Sequence, residues 1–502
     1  MVVVAVVDRG EWLGRPYYVV VYREGERAVA VNQDGVKVGE GFDHAKVIQA
    51  AVNYGGVVYV KEGEYVLDPQ GRFTAPGFGT YTYSVVVQND VKIVASRGAV
   101  FKPRGVNIGF LVGEAWFEWE GGTFDGSLQR VQYLDGSGFI LTSGRCNVVV
   151  RDVVLKNQRL DGIYIGNNDF ITYATGRRVT TSHSEYAYVE NVKAYDVAGE
   201  GAGVVVLDAV EAAVVRGVFL HKARRGVHVS APLGGAAGAY LIDGVVSHEN
   251  YGPVVTNYNG GAVVRNVVAR DVRGSVVKIL GGSRFYIDGV EISGSVDAPG
   301  RVDLVHLEGA LFVLKNFNIS ASARGTLVGV FMVNAHPDSL IEGGYVSLDS
   351  PEAYGVVVGY TRDGVFGTVA DVRGRAYAVV ASITQDGRVH DAVAYAFRCR
   401  GRHFAYGGKL VVDEPAPDKS FAVGHGGAVY FYRNSGMAVL PSGRTSITVS
   451  HGLAARPSKV LITPMGEPPG KLWVQNVTDT SFDIATSTAP TTDLAIAWHA
   501  EI

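Results

Sequence analysis

The chain alternates short runs of apolar residues with small and polar residues that favour turns. Runs such as "VVVAVV", "GVVYV", "NVVVRDVVL" and "GVVVL" are rich in valine and are separated by Gly, Asn and Asp. β-Branched residues favour strands, whereas Gly, Asn and Asp favour turns. The pattern therefore predicts many brief strands and an all-β fold.

An internal repeat organises these strands. A phrase of apolar residues around one Asn or Gly recurs, as in "YVENVKAYDV" and "VVRNVVARDV", and a second apolar run follows each phrase. The central residues, 22 to 27 positions apart, are Asn191, Gly217, Gly244, Asn266, Gly289, Asn316 and Gly343. Short strands at this period, with no helical pattern between them, predict the coils of a right-handed parallel β-helix. Gly and Asn suit its sharp corners because both tolerate left-handed backbone angles.

One helix is predicted, in "FDHAKVIQAAVNYGG", where Asp43 can cap the start and Gly55 can end it. Its apolar face consists of Val47, Ile48, Ala51 and Val52. A helix at this place would cover the open first coil. Changes in pattern and composition define four expected regions: 1–40, a β-rich cap or attachment element; 41–412, the β-helix; 413–434, a linker; and 435–502, an antiparallel β-sandwich.

Composition and charge exclude several classes of protein. The 502 residues carry a formal net charge of −3 with a pI near 6.5, so no basic field attracts nucleic acid. The longest apolar runs fall short of the roughly 20 residues that a membrane span needs, and the first residues lack the features of a secretory signal. Cys146 and Cys399 lack metal-ligand spacing, so no disulfide scaffold, metal site or cofactor is expected.

The segment "DHAKVIQAAVNYGGVVYVKEGEYVLDP" resembles the first segment of the pectin-lyase-like β-helix superfamily, and "GGTFDGS" and "RLDGIYI" are similar to phrases of polygalacturonase-type and tailspike-type members. With the repeat, the resemblance covers roughly residues 40 to 412. It implies the fold but no single chemistry, because hydrolases, lyases, epimerases and adhesive spikes share that fold.

The last segment, with "SGRTSITVSHGLAARPSKVLITP", "WVQNVTDTSFDI" and "DLAIAWHAE", resembles the terminal β-domain of phage and archaeal-virus fibre proteins. A β-helix shaft with such a domain implies a homotrimer on a particle. Abundant Val and Tyr with few Met and Cys would suit a hot habitat. We therefore expect a spike- or fibre-like protein of a virus, with a thermophilic archaeal host favoured, located extracellularly or on the virion surface. It would bind host cell-surface polysaccharide or glycoprotein, with other virion proteins as further partners.

The second apolar runs predict one outward-facing column. If Val227 and Val229 point into the core, His228 points outward. Alignment of neighbouring coils, about 4.8 Å apart, then brings polar residues onto one face. That face would carry Tyr164, Thr256, Lys278, His306 and Glu308, flanked by Asp161 and Asp208.

Four residues resemble, in order, the catalytic motifs of polygalacturonases: Asp161, Asp208, His228 and Lys278. Every motif is incomplete. Asp161 lacks the preceding Asn, Leu207 replaces one Asp of the adjacent pair, valines flank the histidine, and Val276 replaces the Arg. Loss of one acid would remove either the proton donor or the activation of water. Asp161 is also well explained as a turn residue, and Asp169 as a loop residue.

Residues 173–188 interrupt the repeat and are predicted to form a protruding loop. Insertions of this kind carry binding sites, and flat Tyr rings suit sugar faces. The expected sugar-binding residues are Tyr164, Tyr173, Tyr186, Tyr188, His306 and Glu308. Two alternatives to the attachment function stay open: an enzyme that hydrolyses or eliminates polysaccharide on the β-helix face, and a cellular adhesin or filament subunit without chemistry.

Overall fold

A computed structural model describes the fold. It describes residues 17–76, 79–105, 107–129, 138–159, 161–166, 169–179, 183–197, 203–208, 210–230, 239–258, 260–333, 335, 339–350, 352–362, 365–368, 370–372, 375–376, 379–383, 389–394, 397–398, 403–405, 433–453 and 456–501. Residues 1–16, the linker segment 413–432 and Cys399 lie outside these ranges. The boundaries of the four regions therefore stay predictions.

Two long sheets form the body of the molecule, and most of their neighbouring strands are parallel. The strands of the first, which we call sheet A, are Val19–Glu24, Arg27–Asn32, Lys37–Gly41, Gly56–Val60, Gly63–Leu67, Val91–Pro103, Trp116–Asp125, Asn147–Arg151, Val154–Lys156, Ser184–Glu190, Lys193–Tyr195, Val210–His221, Ala239–His248, Ala262–Val272, Arg284–Val296, Leu311–Ala323, Leu340–Asp349, Arg375–Ala376, Val379–Ile383, Val389–Ala394 and Phe397–Arg398. The strands of the second, sheet B, are Gly71–Ala75, Gly79–Val87, Asn107–Gly113, Ile140–Ser143, Ile163–Ile165, Gly203–Asp208, Arg225–Ser230, Val255–Tyr258, Val277–Leu280, Val302–Glu308, Thr326–Val333, Glu352–Arg362 and Val365–Thr368.

Each coil contributes one long or two short strands to sheet A and one strand to sheet B, and like strands of successive coils pair in parallel. This is a right-handed parallel β-helix, as the repeat predicts. The strands after Val365 pair antiparallel, and one further pair joins Ala370–Val372 to His403–Ala405.

Left-handed backbone angles mark the corner inside the sheet A strands. Six of the predicted corner residues, from Asn191 to Asn316, have φ between 50° and 75°. Their amides also bond along the axis: Asn266 Nδ2 donates to Asp243 Oδ1 at 2.7 Å, and Asn316 Nδ2 to Asp288 Oδ1 at 2.8 Å. The corner residues therefore both bend each coil and link it to the preceding one.

The predicted capping helix, α1, spans His44–Tyr54. The Asp43 side chain accepts a hydrogen bond from the Lys46 N–H at 3.2 Å, and Gly55 ends the helix with φ of 79°. The predicted apolar face is buried against the first coils. None of the helices in the described ranges is long and apolar enough to span a membrane.

A second helix, α2, spans Phe170–Thr175, and a short 3-10 helix spans Gly126–Leu128. The prediction of a single helix is wrong, and the loop predicted over 173–188 is wrong at both ends, where α2 extends to Thr175 and a sheet A strand begins at Ser184. Phe170 and Ile171 of α2 are 2% and 1% exposed and pack on the outer side of sheet B. This short helix is stabilised by its packing, since a helix of six residues is marginal alone.

The C-terminal residues form the predicted antiparallel sandwich. One of its sheets consists of Arg433–Leu440, Leu494–Glu501 and Lys459–Pro464, and the other of Ser446–Ser450, Ser481–Thr486 and Leu472–Gln475. The two sheets share a core around Leu440, Phe482, Ile484, Ile496 and Trp498.

Candidate functional site

The outward column of sheet B carries the candidate site. Parallel register aligns one residue per coil, in the order Val86, Leu111, Leu141, Tyr164, Val206, His228, Thr256, Lys278, His306 and Phe331. Val227 and Val229, on either side of the His228 position, are buried in the core. The column therefore contains the residues expected from the alternation, at steps of about 4.8 Å.

A cavity of about 180 Å³ opens over this column. Its lining residues are Asp161, Tyr164, Val206, Asp208, Arg225, His228 and Ser230. Val206 pairs with Tyr164 on one side and His228 on the other, so it forms the apolar floor between two polar rings. We call this space the first cavity. It brings together three of the four candidate catalytic residues.

Asp161 lies at one end of the first cavity. Its Oδ1 accepts a hydrogen bond from the Gly203 N–H at 2.6 Å, across to the next coil. Burial raises the pKa of Asp161 to about 6, although the Gly203 hydrogen bond and the charge of Arg225 act in the opposite direction. This carboxyl group therefore holds a proton under conditions in which an exposed Asp does not.

Asp208 lies at the other end, with Tyr164. The Tyr164 hydroxyl donates to Asp208 Oδ2 at 2.7 Å. Burial raises the pKa of Asp208, while hydrogen bonds from Tyr164 and Ser230 oppose the shift. Gly166 makes room for the tyrosine ring, because a Cβ there would lie 2.2 Å from the ring. The position of the phenol therefore depends on a glycine two residues along the chain.

His228 projects between these two ends. Burial lowers the pKa of His228 to about 4, and the neighbouring charge of Arg225 lowers it further. The imidazole is therefore neutral at neutral pH. The first cavity thus combines two carboxyl groups of raised pKa, a neutral imidazole, a phenol and a guanidinium.

Lys278 does not join the first cavity. It lies two steps along the column from His228, about 10 Å away. It lines a second cavity, of about 500 Å³, together with Arg273, Gly274, Ser275, Ala298, Pro299, Gly300, Arg301, Val302, Asp303 and His306. The four residues that resemble a polygalacturonase site are therefore divided between two neighbouring cavities.

Ion pairs organise the second cavity. Asp303 accepts from Arg301 Nε at 2.8 Å and lies 3.1 Å from His306 Nδ1. Burial alone would raise the pKa of Asp303, but these hydrogen bonds and charges outweigh burial and lower it. The Arg301 guanidinium also stacks on the Phe331 ring, 4.6 Å from its centroid. Glu308 Oε2 lies 3.4 Å from His306 Nε2 at the edge of this group.

The other predicted tyrosines lie elsewhere. Tyr173 is on α2 and is 42% exposed. Tyr186 and Tyr188 lie on sheet A, where they pack with Val149 and Val214. Their expected place in a protruding loop is wrong, because both lie on the strand Ser184–Glu190, and their role in sugar binding stays a prediction. The sheet A tyrosines therefore cannot contribute to the sheet B column.

Sequence reasoning missed Arg225 as a site residue. Arg225 pairs in register with Gly203, which holds Asp161 on the preceding coil. The sequence "RGVHVS" contained the clue to this residue, because Arg225 begins the strand that carries His228 and Ser230. Aligning the coils from their first strand residues would have placed this guanidinium beside the acid.

These coils define a parallel β-helix with a polar face on sheet B. No family model and no curated protein matches the chain. Among solved structures, the A-module of the Azotobacter vinelandii mannuronan C-5 epimerase AlgE6 is similar over 62% of this chain and 93% of its own, at 13% identity and a TM-score of 0.29. The AlgE4 A-module matches at 16% identity, over 62% and 91% of the two chains, with a TM-score of 0.30.

The tailspike gp61 of Pseudomonas phage phi297 matches over 91% of both chains, at 9% identity and a TM-score of 0.18. Similarity at this level assigns no activity to this chain. The fold rests on its own strand pairing, and the function must be argued from its own site.

Proposed function

We propose that the outer face of sheet B binds a polysaccharide and that the protein is an attachment protein of the spike or fibre type. One observation carries this proposal: the first and second cavities lie on one outward column. From Tyr164 to His306 the column spans five steps, or roughly 24 Å. A face of that length suits a linear polymer that lies along the axis, better than it suits a small molecule.

The chemistry of the column also suits sugars. Tyr164 and His228 offer ring faces with polar edges, and Ser230 offers a hydroxyl group. Stacking on flat rings and hydrogen bonding to hydroxyl groups are the two contacts that sugar rings need. Among the described residues, Lys278 has no carboxylate within ion-pair distance, so its charge is available to an acidic sugar.

A methyl group pressed against two lining residues of the first cavity tests the proposal without changing any charge. A Cβ at Gly203 would lie 2.6 Å from Val206 Cγ2 and 3.6 Å from Asp161 Oδ1. We expect Gly203→Ala to reduce binding to host envelope polysaccharide at least tenfold, measured by biolayer interferometry. Gly466→Ala in the C-terminal sandwich, where a Cβ has ample room, should bind like the wild type. Equal affinity of Gly203→Ala and the wild type would contradict a sheet B binding face.

A second candidate function, cleavage of the bound polysaccharide, is favoured by the acids of the first cavity. Hydrolysis and β-elimination both need a proton donor and a proton acceptor near the glycosidic bond. Asp161, with a pKa of about 6, can supply a proton near neutral pH. Asp208 and the neutral His228 can accept one, and Arg225 can stabilise negative charge. Clusters of shifted pKa values of this kind are typical of catalytic sites.

Incubation with the polysaccharide separates cleavage from binding alone. New reducing ends without ultraviolet absorbance would indicate hydrolysis, and absorbance of unsaturated ends would indicate elimination. We expect Asp161→Asn and Asp208→Asn to abolish product formation while binding persists. Asp169→Asn, an exposed acid before α2, should cut at the wild-type rate. Absence of product from the wild type would leave attachment as the function of this face.

The proposal of a spike or fibre also predicts how copies of this protein assemble. A spike requires a closed symmetric assembly, whereas a filament subunit requires contacts that do not close. We expect a homotrimer by light scattering coupled to size exclusion. An open, concentration-dependent series of larger species would instead favour the filament alternative.

A further inference from the structure

The second corner of the β-helix, where the sheet A strands end, carries a cluster of histidines unrelated to the sheet B column. Three residues at this corner, Lys222, Glu249 and Asp271, have left-handed φ of 53°, 53° and 51°. The strand before each corner ends on an outward-facing side chain. His221 and His248 are direct partners at this position on successive coils.

We propose that His221, His248 and Glu249 form a zinc-binding site that links two successive coils. One ligand atom from each of the three residues lies within 4.8 Å of the other two. All three side chains are partly exposed, so an ion can reach them from solvent. Sequence spacing concealed the cluster, because His221 and His248 are separated by a full coil.

The donor set fits zinc. Two imidazole nitrogens and one carboxylate oxygen, with the fourth position left to water or another acid, are a common ligand set for Zn²⁺. Zinc holds nitrogen at about 2.0 to 2.1 Å, so two ligands of a tetrahedral ion lie about 3.3 Å apart. The three ligand atoms, now within 4.8 Å of one another, must therefore converge by up to about 1.5 Å. The two rings now stack with centroids 5.6 Å apart and planes 10° apart. Because they are partly exposed, rotation about their side-chain bonds can turn their nitrogens toward one ion.

The backbone holds the two histidine positions in fixed register. The Lys222 N–H donates to the His248 carbonyl at 3.1 Å, and the Glu249 N–H donates to the Arg270 carbonyl at 3.0 Å. The ligand-bearing corners are therefore spaced by the ladder itself and need no folding of a loop. A pre-formed spacing of this kind lowers the entropic cost of binding.

Two neighbouring charged residues affect zinc binding: one must be displaced from a ligand, and the other can supply a further contact to the ion or to a ligand. Lys222 Nζ lies 3.6 Å from Glu249 Oε2, and zinc would replace this ammonium at the carboxylate. Asp271 Oδ2 lies 3.5 Å from His248 Nε2, where it can orient the ring or provide a further ligand. The exchange substitutes a divalent ion for a surface ion pair, and surface ion pairs contribute little.

Calorimetric titration of the 502-residue protein with zinc chloride tests the site. We expect one zinc ion per chain, and at least a tenfold loss of affinity in His221→Ala and in His248→Ala. The matched control is His183→Ala, which removes another partly exposed histidine that is paired with a glutamate, Glu211. Cobalt(II) in place of zinc should give the visible spectrum of a four-coordinate site in the wild type and in His183→Ala, but not in His221→Ala or His248→Ala. Unsaturable binding by the wild type, or equal binding by His248→Ala, would overturn the proposal.

Thermal melting provides a second readout. Zinc that binds the folded coils should raise the melting temperature of the wild type and of His183→Ala, and a chelator should reverse the increase. His221→Ala and His248→Ala should melt at the same temperature with and without zinc. If zinc stabilises these two variants as much as the wild type, the stabilising ion lies elsewhere and the site is refuted.

Discussion

The outward column of sheet B has two regions that share one backbone register but differ in what lies over them. Val86, Leu111 and Leu141, on the first coils, belong to an apolar cluster beneath α2. The later positions, from Tyr164 to His306, are polar in most coils, and all of them except the buried Thr256 line one of the two cavities. The same strand position is thus buried in the coils that α2 covers, and it lines a groove in later coils that no described helix covers.

Tyr164 marks the boundary between the two regions. Its ring packs against the apolar cluster under α2, and its hydroxyl donates to Asp208 in the first cavity. One side chain therefore joins the covered region to the open region. Local cover, rather than strand geometry, therefore decides whether a coil supplies stability or a site.

The largest expected effect is loss of the cover itself. Phe170 lies 4.7 Å from the Tyr81 ring and 5.3 Å from the Phe73 ring, between centroids. We expect Phe170→Ala to lower the free energy of unfolding by about 3 to 5 kcal/mol in urea denaturation, because it opens a cavity in a packed cluster. Tyr173→Ala, on the exposed side of the same helix, should change it by about 0.5 kcal/mol or less. Equal destabilisation by both variants would mean that α2 does not act as a cover.

The second prediction concerns the acid of the open region. The pKa of Asp161 rises from 3.8 to about 6 on folding, so the ionised group destabilises the fold above that pH. Its stabilising contribution is complete below pH 3.8 and is lost as pH rises through about 6. Near pH 8 we expect Asp161→Asn to be more stable than the wild type by about 3 kcal/mol, since two pKa units correspond to that amount.

The advantage of Asp161→Asn should shrink as pH falls toward 4, because Asp161 then becomes neutral. The Asn oxygen can still accept from the Gly203 N–H, so the variant keeps that contact. Asp169→Asn is the control and should leave the unfolding curve unchanged at both pH values. A pH-independent gain for Asp161→Asn would show that ionisation is not the cause.

The third prediction has the opposite pH dependence. The pKa of His228 falls from 6.5 to about 4 on folding, so its contribution is present above pH 6.5 and is lost as pH falls through about 4. In the wild type this loss offsets the gain from Asp161 over the same range. We expect His228→Gln to become more stable relative to the wild type by up to about 3 kcal/mol between pH 7 and pH 4. An unchanged difference over that range would contradict a buried neutral imidazole.

The smallest expected effect is at the far end of the open region. Lys278→Ala should weaken binding of an acidic polysaccharide by roughly fivefold, or about 1 kcal/mol, as expected for a partly exposed charge. The effect should decrease at high salt because the charge is screened. Lys193→Ala, on sheet A, should bind like the wild type. An equal effect of the two lysines would indicate a general charge effect instead of a sheet B groove.

Much of the fold was predictable from particular residues. The corner residues from Asn191 to Asn316 were recognisable because few residue types tolerate positive φ, and α1 was recognisable from Asp43 and its apolar face. The second helix was not predictable in this way. It lacks a side-chain cap at Asp169 and is only six residues long, so its stability comes from Phe73 and Tyr81, distant in sequence.

The candidate site was predictable only in part. Alternation within each strand predicted that His228 and Lys278 both point outward, because residues two apart on a strand share a face. Alignment of successive coils then placed them on one column. Alternation alone could not show that His228 and Lys278 line different cavities, or that Tyr186 lies on sheet A. Both features depend on the number of residues in the turns between the strands of each coil. Packing sets that number, and the alternation within a strand does not reveal it.

The sequence by itself determined that this chain forms stacked coils, because Gly and Asn recur at the corners and valine recurs between them. It also determined which side chains face outward on each strand. Only the tertiary structure decided which outward side chains meet, bringing Asp161 beside Arg225 and His221 beside His248. The physical reason is that neighbours in a β-helix are one coil apart along the chain, and coils of unequal length hide that distance from any fixed sequence spacing.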